Sequence, residues 1–322
     1  MNFVKPDIII YHDCCSDGFG CKYVCNKKWS DESILYVPQN FKKEAFTLEN
    51  LKYDYKNKNI LFLDFVYDEE KVINSLEKEA NKLFIIDHHQ SAYNLYSEKN
   101  YAYFNLEKSA AVLTWETLFP EYDVPLLLKY VEDRDLRNFS LPYVNEVLAV
   151  LDNDYKMTVE DWDAFSFRLE NSFKDVVQKG VKIIKKKEIL IENLAQHSIA
   201  IEIKGIQGLL ANSIKWDFAS EVAEKLAARS NFGFSWFRSE SGEIKCSLRS
   251  NNGTNVRELA EHIGGGGHDN SSGATVSIEK IYQLANGQRV LDFGSSLFLD
   301  KGLLREKLEK SNNSLPVKKL TR

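Results

Sequence analysis

The chain begins as an alternation of short continuous apolar runs and longer amphipathic stretches. Residues 8–11 (IIIY), 60–65 (ILFLDF) and 83–87 (LFIID) are runs of the kind that strands buried on both faces of a parallel sheet require. Between the last two, residues 68–82 open with acids and carry Val72, Ile73, Leu76 and Ala80 at helical spacing, which predicts a crossover helix. Strands alternating with helices predict an α/β domain with a parallel sheet and helices on both of its faces.

From residue 109 to about 173 the pattern turns helical, with AAVLTWETLF and VPLLLKYVEDRDL as the clearest amphipathic stretches. A long charged helix over 175–196 then reads as a connector. Beyond it, SIAIEIK, FGFSWFR and EIKCSLRS read as strands, and DFASEVAEKLAARS and NVRELAEHI as helices, giving a smaller C-terminal α+β domain. The expected boundaries are 1–174 for the first domain, 175–196 for the connector, 197–300 for the second domain and 301–322 for a polar, basic tail.

A length of 322 residues suits two cores, since a single core stops growing near roughly 250 to 300 residues. With 43% hydrophobic and 28% charged residues, the composition is that of an ordinary globular protein. The first apolar run is too short for a signal peptide or a membrane span, so the expected setting is cytoplasmic, with no membrane partner. Five cysteines (Cys14, Cys15, Cys21, Cys25, Cys246), odd in number and crowded at one end, read as reduced thiols rather than a disulfide framework. The net charge of −5 argues against tight nonspecific binding of long nucleic acid, yet leaves room for a small anionic substrate held by metal and local cations.

Candidate chemistry gathers where the first domain's strands end, which is where open parallel sheets bind ligands. His12, Asp13 and Asp17 follow the first strand, Asp64 closes the second, and Asp87, His88 and His89 close the third. One strand-terminal Asp is as ordinary as a helix cap; three such clusters together point to a divalent-ion site. Mixed carboxylates and imidazoles suit Mn²⁺ or a similar ion, whereas a structural zinc site favours cysteines in tetrahedral sets. Cys21 and Cys25 lie one helical turn apart but lack paired CxxC units.

These motifs resemble those of the DHH/DHHA1 phosphoesterases, the group of oligoribonucleases and RecJ-like enzymes. HDCCSDGFG at 12–20, LDF at 63–65, DHH at 87–89, EDRD at 132–135, SLRS at 247–250 and GGGGH at 264–268, followed by SSG, fall in that family's order and span nearly the whole chain. The resemblance implies a DHH catalytic domain, a DHHA1 substrate-binding domain and two Mn²⁺ ions, with Mg²⁺, Co²⁺ or Zn²⁺ as substitutes. One ion would take His12 and Asp64; the other would take Asp17, Asp64, His88 and a fourth-motif acid, Asp133 in preference to Asp135. His89 would meet a phosphate oxygen and Asp87 would orient the imidazoles.

The first motif departs from the family's pattern, because Cys15 stands where relatives carry the first of two acids. Either Cys15 ligates as a thiolate, or Asp13 supplies the missing oxygen, or that site is weak. In the second domain the resemblance gives Arg249, Gly265, Gly266, Gly267 and His268 as substrate-gripping positions. A glycine run also suits a flexible turn, and backbone N–H groups freed by glycine can face an anion.

The implied activity is a metal-dependent phosphodiesterase that cuts short oligonucleotides or linear dinucleotides to nucleoside 5′-monophosphates. Cyclic-dinucleotide hydrolysis, 3′-phosphoadenosine 5′-phosphate dephosphorylation, single-strand exonuclease action and polyphosphate cleavage stay open beside it, and a non-enzymatic nucleotide sensor is the reading from another class. The expected partner is a short nucleic acid or nucleotide phosphate, and a homodimer is a further option.

Overall fold

The computed structural model describes residues 4–13, 15–39, 53–239, 241–288 and residue 290. The expected end of the second domain near residue 300 and the tail at 301–322 lie outside the described residues. The chain divides into two units, Met1–Ile184 and Lys185–Arg322.

In the first unit, β1 (Ile8–His12), α1 (Ser16–Trp29), β2 (Leu35–Gln39), β3 (Asn59–Leu63), α2 (Glu70–Glu79), β4 (Lys82–Asp87), α3 (Gln90–Tyr96) and β5 (Ala102–Phe104) alternate along the chain. The five strands form one sheet in the order β2-β1-β3-β4-β5, with every pairing parallel. Period-two alternation sends neighbouring side chains to opposite faces. Ile9, Tyr11, Leu61, Leu63 and Ile86 enter one core, whereas Ile8, Ile10, Ile60, Phe62 and Ile85 enter another that holds Val72, Ile73 and Leu76 of α2. Both faces are therefore covered, which is why these strands read as unbroken apolar runs. Each such fully buried side chain contributes about 1.5 to 3 kcal/mol.

The first core is completed by α1 and by α4 (Ala110–Leu118), α5 (Leu126–Asp135), α6 (Val144–Asp154) and α7 (Val159–Asn171). Strand order reverses direction between β1 and β3, since β2 follows β1 outward on one side and β4 follows β3 on the other. That reversal opens a crevice beyond the carboxyl ends of β1 and β3, where the side walls diverge and a ligand fits.

The long helix α8 (Phe173–Gln196) contains the expected connector, and the division between units falls inside it rather than at its ends. Val176 packs in the first unit's core, and Ile191, Leu194 and Ala195 pack with Ala211, Val222 and Leu226 of the second.

The second unit contains β6 (Ile199–Ile203), β7 (Ile206–Asn212), α9 (Trp216–Ala227), β8 (Gly233–Arg238), β9 (Ile244–Arg249), α10 (Val256–His262), β10 (Gly266–His268), β11 (Ser271–Val276) and α11 (Ile278–Ala285). Its sheet runs β10-β11-β9-β8-β7-β6, antiparallel except for the β7–β8 pair. Phe234, Trp236 and Leu248 face α10 and α11, while Ala211 faces α9. This is the expected α+β arrangement. Among the described residues no helix is long and apolar enough to cross a membrane.

Candidate metal centre and DHHA1 domain

Asp64 is the hub of the first unit's site. It follows β3, is 1% exposed, and holds a left-handed backbone (φ 54°), a conformation that a non-glycine residue keeps only where its surroundings impose it. Its N–H bonds Ile86 O of β4, which fixes the turn. The two carboxylate oxygens then face different groups. Oδ2 lies 3.4 Å from His12 Nδ1 and 3.5 Å from Cys15 Sγ. Oδ1 lies 3.4 Å from His88 Nε2 and 3.7 Å from His89 Nδ1, and makes no hydrogen bond although it is buried.

The remaining ligand-type groups are carried in by the local fold. Cys15 is the N-cap of α1, its sulfur accepting from Gly18 N–H at 3.3 Å. A Cβ at Gly18 would stand 2.2 Å from His12 O, so glycine is what lets the start of α1 approach the end of β1. Asp17, in the first turn, is held by the N-terminal amides of α4: Ala110 and Ala111 N–H donate to its two oxygens at 2.7 and 3.0 Å. Arg134 braces the same corner, donating to Ser16 Oγ at 2.7 Å and to Asp152.

His88 Nε2 has carboxylate oxygens of Asp17, Asp64 and Asp135 at 3.6, 3.4 and 3.5 Å. Here the fourth-motif preference is corrected: Asp135, not Asp133, reaches the cluster. Asp133 Oδ1 accepts from the N–H and hydroxyl of Ser140, and Oδ2 from Leu141 N–H, so its carboxylate is used up in pinning the loop after α5. Helical geometry explains the swap, since residues two apart point to different sides. Asp13 is likewise outside the cluster. Its N–H bonds Gln39 O of β2, its charge acts on Lys22, and it belongs to none of the ligand-type clusters.

Asp87 Oδ1 accepts from the N–H groups of His88 and His89 and from His89 Nδ1 at 2.7 Å. That contact fixes the His89 ring with Nε2 directed away from Asp87.

The electrostatics follow from this packing. Burial opposes ionisation of Asp64, but the neighbouring His12 and His88 rings prevail and hold its carboxyl below the usual range. Burial, then the charges of Asp64 and Asp135, push Asp17 up to about 8, against the pull of His88 and the α4 amides. Burial works against a charged His88, yet Asp64, Asp17 and Asp135 outweigh it and raise the ring to about 9. Asp87 raises His89, and burial followed by the Asp64 charge pushes the Cys15 thiol well up.

The donors fit divalent ions on geometry. Ligand-type atoms converge in three sets, His12–Cys15–Asp64, Asp64–His88–His89 and Asp17–His88–Asp135, each within 4.8 Å. Separations of 3.4 to 3.6 Å exceed a normal hydrogen bond. They match the edges of about 3.3 to 3.6 Å between ligands of a tetrahedral ion with bonds of about 2.0 to 2.3 Å. A buried carboxylate oxygen that makes no hydrogen bond is the other sign of an ion's place.

In the second unit, His268, Ser271 and Arg249 form one cross-strand row over β10, β11 and β9, which puts them on the same face. Arg249 donates to Ser220 Oγ at 2.7 Å and to Leu248 O at 2.9 Å; His268 is exposed. The second half of the glycine run is strand rather than open turn. Gly265 N–H bonds Ala260 O behind α10, Gly266 begins β10, and Gly267 has φ 142° with Ser272 Cα 2.7 Å from where its Cβ would be.

Sequence reasoning brought together His12, Cys15, Asp17, Asp64, His88 and His89. It missed the α4 amides that hold Asp17, for which Ser109, the N-cap before Ala110, was the available signal.

Residues 204–287 match the DHHA1 domain family. The chain is 27% identical over 300 residues to an uncharacterised protein of Acanthamoeba polyphaga mimivirus, covering 86% of this chain and 69% of that one. Among solved structures it is similar to the pGpG-specific phosphodiesterase PggH of Vibrio cholerae, at 15% identity over 87% of this chain and 96% of that one, with a TM-score of 0.45. It is also similar to exonuclease RecJ bound to manganese, at 12% identity over 96% and 90% of the two chains, again with a TM-score of 0.45. Residues 204–287 form a DHHA1 domain, and the Asp87-His88-His89 triplet closes a strand of a parallel sheet, as the resemblance to the DHH/DHHA1 phosphoesterases implies.

Proposed function

We propose that this protein is a two-ion phosphodiesterase that hydrolyses short oligonucleotides or linear dinucleotides to nucleoside 5′-monophosphates. The observation that carries the reading is the division of Asp64, with Oδ2 toward His12 and Cys15 and Oδ1 toward His88 and His89. A carboxylate so placed suits a bridge between two ions. His12, Cys15 and Asp64 would hold one, and Asp17, Asp64, His88 and Asp135 the other. When bound, divalent ions supply Lewis acidity to a phosphoryl group and make water a stronger acid.

The chain's own groups supply the rest. Asp87 fixes the His89 ring through Nδ1 and raises its affinity for a proton, so His89 Nε2–H is a donor suited to a non-bridging phosphate oxygen. In the hydrolysis, the oxygen of water ends on phosphorus, the P–O3′ bond breaks and the departing 3′-oxygen takes a proton. Asp17, anchored by two amides, and Asp64, held in its strained turn, are set in place before substrate arrives, which avoids reorganisation during the reaction. The Arg249 and His268 row of the DHHA1 domain is assigned to binding substrate phosphate or sugar. A cytoplasmic setting accords with the free thiols Cys15, Cys21, Cys25 and Cys246.

The test is a panel of 5′-phosphorylated dinucleotides, longer RNA and DNA, cyclic dinucleotides and polyphosphate, assayed with Mn²⁺ after chelator treatment. Preferred turnover of dinucleotides to 5′-monophosphates supports the proposal; preferred turnover of polyphosphate or of long single strands replaces it.

A further inference from the structure

The two ion positions differ in chemistry. One is lined by an imidazole, a thiol and a carboxylate: His12 Nδ1 and Cys15 Sγ stand 3.4 and 3.5 Å from Asp64 Oδ2. The other has only nitrogen and oxygen donors, from His88, Asp17, Asp64 and Asp135. We propose that the centre takes two different ions, a thiophilic one such as Zn²⁺ or Co²⁺ bound by His12, Cys15 and Asp64, and a harder one such as Mn²⁺ bound by Asp17, Asp64, His88 and Asp135. This rests on the two-ion reading above and adds the selectivity of each position.

Three observations carry it. First, Cys15 is neither packed in a core like Cys21 and Cys25, both 0% exposed, nor paired in a disulfide. It caps α1 with its sulfur at the cluster, so two backbone features, the β1 end and the α1 start, deliver sulfur and imidazole to one carboxylate oxygen. Second, the carboxylate these donors share is buried and faced by His12, Cys15, His88 and His89, and its other oxygen makes no hydrogen bond. A buried carboxylate in such company calls for a cation. Third, the edges of 3.4 and 3.5 Å fit a tetrahedral ion bonded at about 2.0 to 2.1 Å to nitrogen or oxygen and 2.3 Å to sulfur. The same spacing recurs around His88, so it is the sulfur that separates the two positions. Softness points the same way, since thiolate selects Zn²⁺ over Mn²⁺ and Mg²⁺. On ligation the Cys15 S–H proton passes to solvent and the S–metal bond takes its place.

The informative variant is Cys15→Asp. Asp is among the best N-caps, so α1 keeps its cap while sulfur is replaced by oxygen; Cys15→Ser serves as the second oxygen variant, and Cys14→Ser as the neighbouring-thiol control. Full-length protein stripped with chelator is titrated with Co²⁺, and the thiolate-to-Co²⁺ charge-transfer absorption is followed. The proposal expects that band in the wild type at one equivalent per chain, its loss in Cys15→Asp and Cys15→Ser, and its retention in Cys14→Ser.

Competition between Zn²⁺ and Mn²⁺ gives the second readout. Nitrogen and oxygen donors also rank zinc above manganese, so the change between wild type and Cys15→Asp is what matters. Losing sulfur should move the preference toward Mn²⁺ by no less than the roughly tenfold that loss of even an outer hydrogen-bonding partner produces. Two Co²⁺ bound without the band, a band that survives Cys15→Asp, or an unchanged preference overturns the mixed centre and leaves the two-ion phosphodiesterase standing. A chain that binds no ion overturns both.

Discussion

Asp135 Oδ2 stands 3.5 Å from His88 Nε2, and no other acid of the EDRD segment does so. Two residues earlier, Asp133 is turned the other way and holds Ser140 and Leu141. The two acids should therefore fail differently. Asp135→Asn should lower the affinity of one ion by at least about tenfold in calorimetry, with little change in melting temperature. Asp133→Ala removes three hydrogen bonds to an ionised acceptor and should lower stability by about 1.5 to 3 kcal/mol or more, with both ions still bound. If Asp133→Ala loses an ion and Asp135→Asn does not, the assignment of the second position is reversed.

Asp64 joins both clusters, so its loss should be felt at both. Asp64→Ala is expected to bind neither ion tightly and to lose at least about 10³-fold in turnover, the scale seen when one stabilising group at a reacting centre is removed. Alanine keeps the left-handed strain at this position, so the relief of a buried carboxylate is what acts on the stability of the metal-free variant. Two ions bound with unchanged affinity in Asp64→Ala would falsify the bridge.

The positions of His12, Asp64 and Asp87 were legible because each ends a fully apolar run, and a run buried on both faces leaves its first polar residue at the sheet's edge. Edge strands escaped the same logic. In β2 only Val37 is buried and Pro38 interrupts the pattern, and β5 has three residues, so neither shows the apolar run of a central strand. β7 was hidden by Gly208, which sits against the Phe232 ring, and β10 by its glycines, which read as a turn although β11 supplies the pairing. The choice between Asp133 and Asp135 was also out of reach, because it turns on where α5 ends and on the loop that Asp133 holds. Spacing shows that two acids lie near the site without showing which way each faces.

The metal-free centre should be sensitive to pH. In the fold His88 is raised from 6.5 to about 9 and Asp17 from 3.8 to about 8, so both retain protons that the unfolded chain has released at neutral pH. A group raised in the fold contributes stability that is complete below its unfolded value and is lost as pH climbs through its folded value. The melting temperature of the chelator-treated protein should then fall between pH 6.5 and 9. Ions must displace the same proton from His88, so affinity for Mn²⁺ should rise over that window. His88→Asn should flatten both trends; a melting temperature that rises from pH 6.5 to 9 in the wild type would contradict the assignment.

The last expectation concerns the row His268–Ser271–Arg249, which the sheet holds on one face of the DHHA1 domain. His268 is exposed, so His268→Ala should leave folding intact. Arg249 also ties β9 to Ser220 of α9, and for that reason Arg249→Lys, which keeps the charge and loses the two-pronged donor, is a better probe than alanine. Neither residue is a member of a cluster of ligand-type groups, so both variants should keep full metal content. If the row binds substrate, each should impair a 5′-phosphorylated dinucleotide by roughly ten- to a hundredfold, the worth of one charge-assisted contact of about 1.5 to 3 kcal/mol. The loss is expected in kcat as well as KM, because binding energy away from the reacting bond is used to position it. A small generic diester such as bis-p-nitrophenyl phosphate, which offers no second nucleotide to hold, should be turned over nearly as before. Equal losses on both substrates would place these residues in the chemistry or in folding, and the assignment of substrate binding to this face would have to be withdrawn.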